Sequence, residues 1–144
     1  MNIILTLTLI LSAFAPCLMA QELPAKIKSH LDCKFPDWTF SKNAKYCVPG
    51  GAGKSEYLIR SDFDNNQKSD YVVKIKTKSK GYIMVYLQEA GKYTPYIVYN
   101  ESSESVEDCK LELRKQKIHI SQCEVSSYYL VYKNGHFTEH FTSD

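Results

Sequence analysis

Residues 70–88 read DYVVKIKTKSKGYIMVYLQ, and this stretch decides the fold class. In residues 70–77, Tyr71, Val73 and Ile75 alternate with Lys74 and Lys76. A period of two puts the apolar side chains on one face of a strand and the lysines on the other. Residues 81–88 are apolar at nearly every position, the pattern of a central strand covered on both faces. Working outward, shorter strand candidates stand at 38–40, 46–48 and 56–60. Another lies at 93–99, where Pro95 implies an edge. Two hairpins close the chain. Residues 106–113 and 117–123 fold about the basic tip Arg114-Lys115-Gln116, and a hairpin symmetric about Gln116 sets Cys109 opposite Cys123. Residues 128–133 and 136–141 are joined by Asn134-Gly135, a strong hairpin signal.

One helix precedes these strands. Pro24 suits a first helical position, and Leu23, Ile27 and Leu31 recur every four residues as one apolar stripe. Pro36 disfavours helical geometry in its predecessor, so the helix ends near Lys34. The pattern predicts an α+β fold: one N-terminal helix packed on a largely antiparallel, tyrosine-rich β-sheet.

Composition fits that picture. The chain has 144 residues, 44% of them hydrophobic and 24% charged, which suits one globular domain and excludes a fibre or a disordered tail. Eleven tyrosines suit half-buried sheet positions. A formal net charge of +2 gives no general reason to expect a nucleic-acid partner.

Residues 1–20 carry no charged side chain, and the apolar run 3–14 is too short to span a membrane. Pro16 breaks the run and Ala20 precedes Gln21, which is the layout of a secretory signal peptide. The expected organisation is a signal peptide at 1–20 and a single globular domain at 21–144. Export to the periplasm or beyond, with no membrane span in the mature chain, follows. Four cysteines then remain: Cys33, Cys47, Cys109 and Cys123. An even count in an exported chain reads as disulfides. Of three possible pairings the local one, Cys33–Cys47 with Cys109–Cys123, is expected. No C-x-x-C spacing supports zinc.

The one constellation with chemistry is residues 62–70, DFDNNQKSD. Asp62, Asp64, Asn66 and Asp70 hold positions 1, 3, 5 and 9 of a tight loop, and Lys68 at position 7 can add its backbone carbonyl. Ca²⁺ takes six to eight oxygens, so this set suits it. Gln67 stands where an EF-hand has glycine, and Val73 where it has its bidentate glutamate. The same residue types also make a solvated turn in which Asp and Asn bond their own backbone, so the loop has two readings. Residues 62–75 resemble the calcium loops of FG-GAP and VCBS-type repeats, which join two strands of extracellular β-structure. That resemblance implies Ca²⁺ held by Asp62, Asp64, Asn66, Lys68 and Asp70. The order of elements, with residues 23–38, 62–71 and 128–137 as landmarks, also resembles small exported bacterial proteins of unknown function, which implies no activity.

Other signals are weaker. Residues 50–55, GGAGKS, lack the first glycine of a phosphate loop, since that position is Val48. His136 and His140 sit four apart on an expected strand, about 13 Å from each other, and cannot share a metal. His30 and His119 read as surface histidines, and Asn100-Glu101-Ser102 as a glycosylation sequon. The lysines of residues 74–80 read as a solvated face. No nucleophile or oxyanion motif is present. The expected function is an exported, non-enzymatic β-rich module, calcium-stabilised, that binds a protein partner in an inhibitor or immunity-type role by analogy. The alternative is a small secreted hydrolase using carboxylates of the 62–70 loop.

Overall fold

A computed structural model describes residues 22–44, 53–122 and 126–142. Helix α1 (Ala25–Lys34) starts where the Pro24 carbonyl accepts the amides of Ile27 and Lys28 at 2.9 and 3.0 Å. It closes at Phe35, whose N–H reaches the Leu31 carbonyl at 2.8 Å, just before Pro36.

The strands in chain order are β1 (Thr39–Phe40), β2 (Asn43–Ala44), β3 (Gly53–Lys54), β4 (Leu58–Ser61), β5 (Asp70–Lys76), β6 (Lys80–Glu89) and β7 (Lys92–Ser102). Helix α2 (Ser103–Asp108) follows, then β8 (Cys109–Arg114), β9 (Lys117–Gln122), β10 (Ser126–Lys133) and β11 (His136–Phe141). The first sheet runs β1-β5-β6-β7, with β4 also on the β5 edge. The second runs β11-β10-β9-β8, and β2 pairs with β3 alone. Every pairing is antiparallel. Three tight turns have positive φ at both central residues: Ala90-Gly91 (47° and 75°), Lys115-Gln116 (47° and 63°) and Asn134-Gly135 (53° and 82°). Such turns carry the twist that two-residue hairpins require.

Val72, Ile83, Val85 and Leu87 of the first sheet share one core with Leu111, Ile118, Ile120 and Leu130 of the second. On the other face of the first sheet, Ile27 and Leu31 of α1 join Val73, Ile75, Met84 and Tyr86. The expected α+β architecture is therefore corrected: among the described residues strands hold 57% and helices 15%, in two antiparallel sheets with a second helix. Hairpin periodicity specifies which residues alternate, but not whether successive hairpins extend one sheet or form another layer. Helix α2 takes residues expected as strand. The Ser102 side chain caps it by accepting the Ser105 N–H at 3.1 Å, and its Val106 is buried over Gly81.

Two further expectations change. Lys74, read as facing water, is completely buried, because the second sheet covers its face of β5. In the 109–122 hairpin, Cys109 stands opposite Gln122, not Cys123. The turn is the pair Lys115-Gln116 instead of a three-residue tip, and this shifts the register by one. Cys33 and Cys109 are free thiols, the first exposed and the second buried. Cys47, Cys123, the 46–48 strand, most of the glycine-rich 50–55 segment and the signal segment 1–20 lie outside the described residues. Among the described residues no helix is long and apolar enough to cross a membrane.

Candidate metal centre

The acidic loop spans the turn from β4 to β5, whose register closes with Ser61 opposite Asp70. Asn65 and Gln67 sit at φ 60° and 65°. Asn tolerates that left-handed region, and Gln67 takes it although glycine is the residue that enters it without steric cost. The loop's oxygens are drawn inward by its own backbone. Asp62 accepts the N–H of Asn66 at 3.1 Å and of Gln67 at 2.8 Å. Asp64 accepts the Asn66 N–H at 3.2 Å.

Asp70 is the buried anchor. One of its oxygens accepts the Phe63 N–H at 2.7 Å and the other the Gln88 N–H at 2.8 Å. Two charge-carrying oxygens that each accept a backbone amide make this burial tolerable. Burial nonetheless pushes the Asp70 carboxyl above its ordinary pKa, against those two amides, and the Asp64 and Asp62 charges add to the rise. The Asp64 carboxyl is raised as well, by burial first and also by neighbouring Asp62. Oxygen atoms of Asp62, Asp64 and Asp70 all lie within 4.8 Å of one another.

The structure thus brings the three carboxylates of the expected ligand set, Asp62, Asp64 and Asp70, within reach of one cation. Asn66 points its amide nitrogen inward, donating to Asp64 Oδ2 at 2.9 Å and to the Gln88 carbonyl at 2.8 Å. Its Oδ1 accepts the Lys68 N–H at 2.8 Å. The Asn66 side chain and the Lys68 N–H thus take part in the loop's internal bonding. A divalent cation fits the remaining set on chemical grounds: hard carboxylate oxygens, mutually repelling, each with a lone pair beyond the one used by an amide.

Sequence reasoning missed Gln88 and Phe63. Gln88 acts through its main chain, clamping Asp70 and Asn66 onto the end of β6, and main-chain roles leave no mark on residue type. Phe63 packs against the inter-sheet core, and one apolar residue inside an otherwise polar loop was its available signal. Comparison with family models, with curated proteins and with solved structures finds no match to this chain.

Proposed function

We propose that this chain is an exported, non-enzymatic β-rich module that binds a protein partner, with Ca²⁺ held by Asp62, Asp64 and Asp70 to stiffen its β4–β5 loop. The observation that carries the calcium reading is the convergence of those three carboxylates within 4.8 Å at a sheet terminus. Calcium would neutralise their repulsion and fix the loop on β5 and β6. What weighs against the hydrolase alternative is that each carboxylate of the loop is already engaged in its internal bonding: Asp70 by the Phe63 and Gln88 amides, Asp62 by the Asn66 and Gln67 amides, and Asp64 by Asn66.

Thermal unfolding with and without Ca²⁺ tests this. A Kd of ~10⁻⁴ M, in the range of extracellular modules, gives about 1.4 kcal/mol at ~1 mM Ca²⁺, a rise of a few degrees in Tm. Asp64→Ala should abolish the rise. Mg²⁺ should do less, since it gives up its water reluctantly. No calcium-dependent rise in the wild type would mean that the loop is an ordinary self-bonded turn.

A further inference from the structure

The outer face of the second sheet collects positive charge. Its register sets Glu112, His119, Tyr129 and His140 in one row across all four strands. On the same face Arg114 stands directly opposite Lys117, and Lys133 opposite His136. Lys110 lies two residues before Glu112 on β8. Glu112, the one acid of this face among the described residues, is ion-paired with both Lys110 and Arg114. All these side chains are at least partly exposed. Four lysines or arginines and three histidines therefore face water with one acid, in a chain whose formal net charge is only +2.

Directly opposed like charges destabilise a sheet, and the pair Arg114–Lys117 carries that cost unless anionic groups lie over it. Burial, and then the charges of Arg114 and Lys117, hold the His119 imidazole below its ordinary pKa, consistent with a positive local field. The ring of Tyr129 is already covered. Lys117 Nζ sits 4.2 Å from its centroid, His140 stacks at 5.2 Å and His119 lies at 5.5 Å. Strands binding nucleic acid need aromatic faces open to bases and a cationic track along a groove. Here the Tyr129 ring is covered and the cations are spread over several strands instead of along one groove.

We propose that this face docks an acidic patch on the surface of a partner protein, with Arg114, Lys117 and Lys133 meeting its carboxylates around the Tyr129 row. The proposal rests on the partner-binding part of the function above. The probe is a labelled poly-L-glutamate peptide of about 20 residues at ~50 mM salt, where screening is moderate. Heparin and an oligothymidylate of similar charge serve as non-protein polyanions. Lys117→Glu/Lys133→Glu should weaken the glutamate peptide at least ~10-fold, the size expected of charge pairs at an interface. Lys78→Glu/Lys80→Glu, in the β5–β6 connection and at the start of β6, should change it less than ~2-fold, with circular dichroism confirming that both variants fold. Equal losses in the two variants would overturn the assignment of the face. So would tighter binding of heparin or oligothymidylate than of the peptide. Absence of peptide binding by the wild type would also overturn it, while the calcium reading would still stand or fall on its own melting experiment.

Discussion

Lys74 shows how far one residue departs from its sequence pattern. It lies between Val73 and Ile75 with no exposed surface, and its ammonium donates to the Asn43 carbonyl at 2.6 Å and to the Cys109 carbonyl. One cation thereby ties β5 to β2 and to the start of β8. Burial lowers its pKa to about 8, against the favourable charges around Cys109, Glu107 and Asp108. From about 8 up to the ordinary 10.5, the unfolded chain holds a proton that the native protein has lost. Stability therefore rises with pH across that window through this group. Cys109, whose thiol burial pushes up, and the buried tyrosines Tyr86, Tyr99 and Tyr128, raised for the same reason, act in the opposite sense at alkaline pH. The difference between wild type and Lys74→Met isolates the lysine. Denaturant melts should show that difference growing in favour of the wild type between pH 8 and 10; a flat difference would place the ammonium in contact with water.

The same reasoning applies to the acidic loop. Asp64 and Asp70 have raised folded-state pKa values, so in metal-free protein they bind protons that the unfolded chain releases, and their protonation favours the native state as pH falls. Calcium needs them ionised. The calcium-dependent rise in Tm should therefore be full at pH 7 and shrink as pH descends into the range just above that of ordinary carboxylates. A rise that is unchanged by acidification would move the ion away from these two residues.

At the scale of the elements, α2 is fixed by close approach to β6. A Cβ built on Gly81 would lie 2.1 Å from Val106 Cγ1 and 2.9 Å from the Ser102 carbonyl. Gly81→Ala should therefore cost about 1–3 kcal/mol, the range for overpacking a core, read from chemical denaturation. Adding Val106→Gly, which removes Cγ1 and also the Val106 Cβ at 2.2 Å, should return part of that loss. No rescue would mean that the Ser102 carbonyl, and not the valine, sets the distance. Strand existence was legible because alternation at 70–77 and the apolar run at 81–88 survive any arrangement of layers. Helix α2 was not, since six residues carry too little periodicity to compete with the strand that follows. Register in the 109–122 hairpin was lost by one residue because Lys115 and Gln116, neither a customary turn residue, hold the left-handed conformations.

At the scale of the molecule, two sheets share a core that includes Val72, Ile83, Leu111 and Ile120, and α1 covers the far side of the first sheet. The carboxylate set of the acidic loop was readable from spacing alone, as Asp62, Asp64 and Asp70 converge. The bond from the Asn66 amide to the backbone of β6 was not, because its partner, the Gln88 carbonyl, is remote in sequence. Charge segregation on the second sheet was hidden as well, since its basic residues are dispersed along four strands and only the pairing gathers them. Calorimetric titration of Ca²⁺ into the folded protein at pH 7 tests the central claim most directly. One site per chain is expected, and it should disappear in Asp64→Asn while the variant keeps its fold. Absence of binding at millimolar Ca²⁺, or binding that persists in Asp64→Asn, would contradict it.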